Sequence, residues 1–454
     1  MFDGRFTNTP HVHRGRAFLD ARAMVHNPVA VFEKYRTQLG PTFSFHFGGA
    51  RATVVTTDPV VLEHVLRGNR DNYQKSDIQV ARMAEFQGQG LVNSHGDTWL
   101  RQRRLLAHGF RPSYLATLLP LQQGVLHDLM AGFECDVQRG PVDIHQQMVR
   151  FTLRLVGRAL FGRSLTDAEL QQIGDAIAEI QAFILRQVVQ PYKRRWFRLT
   201  GEYARYQRIR VAADTLVLRH IQERLNHDGG GHDFLRLLME STYHDTGERM
   251  SQAQVLIESL QLMVAGNETS SNALTWIFYL LARHPRYIRE LRNEVESVIG
   301  DQPIDYHNLH QLSGTRRVID EALRLYPPFW TIDRIALHDD DIAGIHIPAG
   351  TLVMPYIYGT HRNPGHWRDA ETFDPGRFEP EQSHTRHPFA YIPFGGGPRV
   401  CIGNNMAVMQ ILLIVATFVR TYDFRLTQDL PIATRPRMLL RPAGAVSMTF
   451  RRAS

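Results

Sequence analysis

The chain has 454 residues, 43% of them hydrophobic, with a formal charge of +7, which is enough apolar material for a large core. No stretch is low-complexity or repetitive. Cys135 and Cys401 are its only cysteines, so a disulfide framework is excluded, and without Cys-x-x-Cys or His-Glu-x-x-His patterns a zinc site has no support.

In chain order, Met1 to Asp20 mixes charge, histidine and proline and has no apolar signal-peptide core. Thr42 to Thr57 alternates apolar and polar residues around Gly48-Gly49, which predicts a two-stranded hairpin. From Pro59 to about Ile299 a 3.6-residue period dominates, broken by polar or glycine-bearing turns. Within it, Arg70 to His95 has little periodicity and is expected to be a loop. Ser251 to Arg283 predicts a very long helix, with Ser251 as N-cap and Pro285 past its end. After Pro327-Pro328, β-branched runs at Ile332 to Leu337, Ile342 to Ile347 and Thr351 to Tyr356 predict a small sheet. A proline- and aromatic-rich stretch reaches Phe394, a long helix runs from Cys401 to about Arg420, and short strands end the chain. Ile411 to Val419, the longest apolar run near the C-terminus, is too short to span a bilayer, so no integral membrane segment is expected. The expected class is mainly α with small β-sheets (α+β), in a single domain over residues 1–454.

The run Phe394-Gly395-Gly396-Gly397-Pro398-Arg399-Val400-Cys401-Ile402-Gly403 carries most of the chemistry. A cysteine at a helix N-terminus feels the positive end of the helix dipole, which favours thiolate. Glycines on the approach let backbone N–H groups turn toward the sulfur and let a flat cofactor come close. On these residues alone a buried structural cysteine in a glycine turn is also open. The spacing Phe-x-x-Gly-x-Arg-x-Cys-x-Gly resembles the haem-binding loop of the cytochrome P-450 superfamily, matched at Phe394, Gly397, Arg399, Cys401 and Gly403. Cys401 would then be the axial ligand of haem b, and thiolate ligation suits O–O bond cleavage. Cys135, in Phe133-Glu134-Cys135-Asp136, has no ligand-like spacing and is expected to be structural or incidental.

Further motifs fit that resemblance. Ala265-Gly266-Asn267-Glu268-Thr269 is similar to the family's oxygen-binding motif. It implies that Ala265 and Gly266 leave room for dioxygen, that Thr269 holds the proton-delivering water, and that Glu268 relays protons. Glu321-Ala322-Leu323-Arg324 puts carboxylate and guanidinium three apart on one helix face. By resemblance it joins Arg377 of Phe373-Asp374-Pro375-Gly376-Arg377-Phe378 in a buried structural network, with Gly376 where many members carry Glu. Haem propionates need cationic or donor partners. Trp99 and Arg103, at i and i+4, resemble the family's Trp-x-x-x-Arg pattern, with Arg334 and Arg399 as further cationic partners and His95 as a fourth.

The substrate pocket is expected around the 77–91 loop with Phe86, at Leu262 and Val264, and at Phe329, Trp330, Thr331 and Ile332. These stretches suit an apolar organic substrate such as a fatty acid, terpenoid, steroid or polyketide. The resemblance implies a monooxygenase inserting one atom of O2, with electrons ultimately from NAD(P)H. No flavin or iron–sulfur domain follows the last strands, so a separate ferredoxin or flavodoxin with its reductase is expected to deliver them. Arg104, Arg111 and Arg386 would meet its acidic face. The basic patch Tyr192 to Arg198 is expected to be a solvated loop, with substrate entry or membrane contact as alternatives; nucleic acid is not an expected partner. Lacking an anchor, the chain is expected to be of the soluble bacterial type, cytoplasmic and monomeric. Two alternatives stay open: a peroxide-driven haem-thiolate enzyme, which often lacks the Glu268-Thr269 pair, and a non-catalytic haem sensor or carrier.

Overall fold

The computed structural model describes residues 8–453, apart from 48–50, 78–79, 82, 163–164, 227–232 and 429–430. The predicted Gly48-Gly49 turn and part of the 77–91 loop lie outside the described residues. The chain forms two compact units. One contains Met1–Ser76, Gly314–Cys401 and Leu430–Gly444; the other contains Asp77–Ser313, Ile402–Asp429 and Ala445–Ser454.

In the first unit, alternating apolar residues give the expected hairpin. Thr42–Phe47 pairs antiparallel with Arg51–Thr56, setting Phe43 opposite Val55 and Phe45 opposite Thr53. Arg51–Thr56 then pairs in parallel with Leu352–Pro355, and Arg334–Ala336 and Tyr73–Gln74 complete five strands. Helix Pro28–Leu39 covers this sheet. Asn27 caps it by accepting from the Ala30 N–H at 3.1 Å, and Pro28 sits where no N–H is needed. Its Phe32 meets Phe43, Phe45, Trp330 and Tyr356 edge-on, with centroids 5.3 to 6.2 Å apart. One predicted strand is corrected. Ile342 to Ile347 splits into the hairpin Asp340–Ile342 and Ile345–Ile347, because Ala343 and Gly344 take φ of 51° and 76°. Two consecutive positive φ values make the tight turn whose twist suits a hairpin.

The second unit is helical. Gln252–Arg283 is 32 residues long, about 48 Å at 1.5 Å per residue. Ser251 caps it as expected, accepting from the Gln254 N–H at 3.2 Å. Every residue from 270 to 281 is buried, so this half is the unit's axis. Asn404–Thr421 is long and apolar enough to cross a membrane, yet 67% of it is buried inside the protein. Its Phe418 packs against Phe133, Phe151, Phe278 and Phe450, the environment of a core helix. Ser447–Arg452 pairs antiparallel with both Tyr422–Leu426 and Val142–Asp143. The expected 70–95 loop contains strand Tyr73–Gln74 and helix Met83–Gln87, both too short to show a period. The basic patch is not a loop but a 3-10 turn, Pro191–Lys193, followed by helix Arg194–Leu199.

Candidate active site

The cysteine loop is shaped by its glycines. Gly395 and Gly397 take φ of 75° and 66°, which L side chains rarely adopt. The Cys401 N–H returns to the Phe394 carbonyl at 2.9 Å, closing the loop, and the Cys401 side chain is exposed at its end. The following helix opens at Asn404 with Gly403 as N-cap, three residues later than the sequence predicts. A Cβ on Gly397 would stand 1.9 Å from the Leu66 carbonyl oxygen, so the loop lies backbone to backbone on the turn His64–Gly68.

Beside it the first unit gathers cations. Arg334 is 7% exposed, its guanidinium donates to the Asp333 carbonyl at 2.7 Å, and burial pushes its pKa down. Lys75, enclosed by protein though part of its surface stays open, titrates at about 7. Burial is the main cause, with Arg334 and Arg399 adding repulsion and Asp333 offsetting part. Asp333 itself accepts from Ser76 Oγ at 3.0 Å. Lys75, Arg334 and Arg399 stand close enough for their positive charges to repel, with Asp333 offsetting part of that repulsion at Lys75. Two haem propionates suit that donor set, and an exposed thiol on a glycine-lined loop suits the iron; the residues present fit haem b. Lys75 is absent from the sequence-derived site, because a lone lysine in an aperiodic segment gives no spacing to read. Trp99 and Arg103, half-buried on one face of helix Gly96–Leu106, and exposed His95 at its cap belong to the second unit.

Glu321, Arg324 and Arg377 come together as expected. Arg324 grips Glu321 with two bonds of 2.6 and 2.8 Å, and both side chains are fully buried. Its remaining donors reach the carbonyls of His361, Ala370 and Thr372, while the Asp374 N–H and Arg377 Nε approach Glu321 at 2.9 and 3.5 Å. His361, its pKa driven down to about 3 by burial, accepts the Ile392 N–H at 2.9 Å, two residues before Phe394. Arg386 is corrected from docking residue to part of this cluster. It stacks on Trp367 at 3.9 Å and donates to the Arg377 carbonyl at 2.7 Å.

On the long helix, Thr269 Oγ1 donates to the Ala265 carbonyl at 2.6 Å. The residues from 264 to 269 are open or half-open, in contrast to the buried run from 270 to 281, and Ala265 is exposed. Gly266 also packs closely against a neighbouring helix. Its added Cβ would meet Val156 of helix Ile144–Phe161 at 3.0 Å, so it permits close helix packing.

The same helix walls a partly open cleft. Phe86, Ile177, Ile180, Leu256, Leu260 and Val264 make it apolar, with Arg210 and Asp214 supplying charge. The stripe 257, 261 and 264 continues one turn on at 265, 268 and 269, so one helix face joins cleft and oxygen motif. Phe86 and Val264 thus line the cleft as expected. Trp330 is a core residue, its indole N–H bound to the Arg437 carbonyl at 2.7 Å, and Thr331 donates to the Pro355 carbonyl at 2.9 Å. Ile332 packs on the core around Val353 and Ile357, Phe329 is 39% exposed, and Leu262, half-buried, is not among the cleft residues.

A buried polar pair fastens the cleft's rim. Glu258 accepts the Leu91 N–H at 3.1 Å and Gln254 Nε2 at 2.9 Å, and Gln261 accepts the Val92 N–H at 3.0 Å. Burial raises the Glu258 pKa to about 7 against those bonds. The folded chain therefore holds this proton more tightly than the unfolded chain. Its stabilising contribution is complete below pH of about 4.5 and is lost as pH rises through about 7. The thermal midpoint of the wild type should fall relative to that of Glu258→Gln as pH rises from about 4.5 to about 7. Parallel curves would refute this.

The chain is 30% identical over 436 residues to cytochrome P-450 734A5 of Oryza sativa subsp. japonica, covering 92% of this chain and 81% of that protein. It is 29% identical over 401 residues to the pentalenene oxygenase of Streptomyces avermitilis, covering 88% and 86%. The crystal structure of the cytochrome P-450DA heme domain superposes with a TM-score of 0.87 at 24% identity, covering 98% of this chain and 97% of that one. The cytochrome P-450 family model matches residues 9–450, and the chain belongs to that family.

Proposed function

We propose that Cys401 would supply the thiolate that holds the haem iron of this cytochrome P-450 monooxygenase, that Lys75, Arg334 and Arg399 would hold the haem propionates, and that one domain carries the whole reaction. The chain is a monooxygenase with haem b as cofactor, O2 as co-substrate and electrons ultimately from NAD(P)H. Haem supplies activation of dioxygen: one oxygen atom enters the substrate's C–H bond and the other leaves as water, with two electrons and two protons consumed. The protein's residues do the rest. The glycine loop positions the sulfur, Thr269 holds a water through the hydroxyl it anchors at Ala265, Glu268 passes protons toward it, and the cleft excludes bulk water from an apolar guest. By the motif resemblance, Trp99, Arg103 and His95 are also proposed as propionate partners.

The substrate is an apolar organic molecule. A terpenoid is favoured, because a relative is named for the oxygenation of pentalenene and the cleft is lined mostly by aliphatic side chains. A ferredoxin or flavodoxin is the proposed electron donor in a cytoplasmic setting, with exposed Arg104 and Arg111 as steering charges.

The observation that carries this reading is the glycine loop that leaves Cys401 exposed, in the same unit as buried Arg334 and half-buried Lys75 and Arg399. The reduced protein under carbon monoxide should show a strongly red-shifted Soret band that Cys401→His loses. A band at the histidine-ligated position in the wild type would overturn the assignment.

A further inference from the structure

Arg210 and Asp214 are the charged side chains of the cleft. Their i,i+4 spacing puts both on one face of helix Glu202–Asn226, with Nε to Oδ2 at 3.2 Å and side chains 33% and 17% exposed. One other pair of this helix, Arg224 with Asp233, is more enclosed still, at 14% and 2% exposed, whereas Arg205 with Glu179 is 60% and 48% exposed and Arg219 with Glu223 is 50% and 56% exposed. A pair turned into an apolar cleft loses hydration that the two exposed pairs keep, so it is poorly explained by stability.

We infer that the Arg210–Asp214 pair is a specificity site for a neutral oxygen function, foremost a hydroxyl, on an apolar substrate of terpenoid size. This rests on the monooxygenase reading and narrows it. A hydroxyl can accept from the Arg210 guanidinium and donate to the Asp214 carboxylate, matching both partners at once. A fatty-acid carboxylate would gain Arg210 only by standing against Asp214, and an ammonium group would meet Arg210; like charges in an apolar cleft are costly. Gln261, the nearby amide, is already committed, to the Val92 N–H through its oxygen and to Asn93 Oδ1 and the Gly88 carbonyl through its nitrogen. Burial raises the Asp214 pKa despite its arginine, as expected for a carboxyl facing an apolar space. The substrate therefore arrives already oxygenated, and oxidation falls elsewhere on its skeleton.

The test is equilibrium binding to the haem-loaded chain, by calorimetry, of cedrene, its alcohol cedrol, and palmitate. Cedrol should bind about tenfold tighter than cedrene and tighter than palmitate, the margin of one well-made hydrogen bond to a charged group. In Arg210→Met and Asp214→Asn that margin should shrink below about threefold while cedrene affinity stays within about twofold. Equal affinity for cedrol and cedrene in the wild type, a preference for palmitate, or no binding of either terpene would overturn the proposal without any variant needing to fold. A carbon monoxide spectrum on the same samples separates the two failures. Loss of cedrol preference with the thiolate band intact sinks only the cleft assignment, while a missing thiolate band sinks the monooxygenase reading.

Discussion

Glu321→Ala should yield chain that accumulates poorly, and what is recovered should hold little haem. Arg324 is fully buried and spends two of its hydrogen bonds on this carboxylate. Burial pushes the Glu321 pKa up while Arg324 pulls it down, and the two-pronged geometry favours the ionised pair. Removing one partner of a buried pair leaves a charge with no compensation and costs about 3–5 kcal/mol. A domain's whole stability is about 5–15 kcal/mol, so the loss is a large share of it. The damage also travels. Arg324 holds three carbonyls between His361 and Thr372, and His361 receives the Ile392 N–H at the entrance to the cysteine loop. Glu321→Gln should recover little, because a neutral amide leaves the Arg324 charge unanswered. Haem-to-protein absorbance ratio and thermal midpoint check this; a normally loaded Glu321→Ala protein with an unchanged midpoint would contradict it.

Where one side chain's role follows from fixed spacing, the sequence was enough. Ser251 and Pro285 bracket the long helix because caps and proline act within a turn of where they stand. The Phe-x-x-Gly-x-Arg-x-Cys-x-Gly run could be read because its spacing resembles the haem-binding loop of the cytochrome P-450 family; its residues alone left a structural cysteine open. Glu321 and Arg324 share a face by helix geometry, though only packing shows them to be fully buried rather than a surface pair. Legibility failed where burial or a neighbouring element decides. The close packing of Gly266 on Val156 is not visible in one dimension, because Val156 comes from a helix more than a hundred residues away. Trp330, in an aromatic-rich run, could face a pocket or a core, and only the sheet beneath it chooses. Lys75, Arg210 and Asp214 stand in no motif. A signal did exist for Glu258 and Gln261, which interrupt an apolar stripe at helical spacing, but a polar residue there reads equally as a solvent edge.

The sharpest prediction drawn from backbone geometry contrasts two glycines of one loop. Gly395→Ala and Gly397→Ala impose the same conformational strain, since φ is 75° at one and 66° at the other, and a left-handed L residue costs about 1–2 kcal/mol. They differ in what the new methyl meets. At Gly395 nothing lies within 4 Å, whereas at Gly397 the Leu66 carbonyl oxygen lies at 1.9 Å and its carbon at 2.8 Å. That obstacle is backbone, so no rotamer change relieves it, and either the loop or the turn His64–Gly68 must move. Overpacking of this kind adds about 1–3 kcal/mol and displaces the loop itself. Gly395→Ala should therefore lower the thermal midpoint modestly and keep the thiolate-type carbon monoxide band. Gly397→Ala should lose haem or shift the band toward an inactive form, because the sulfur is carried four residues further on. If the two variants lose haem to the same extent, conformational strain alone governs the loop and the close approach to Leu66 contributes nothing to holding Cys401 in place.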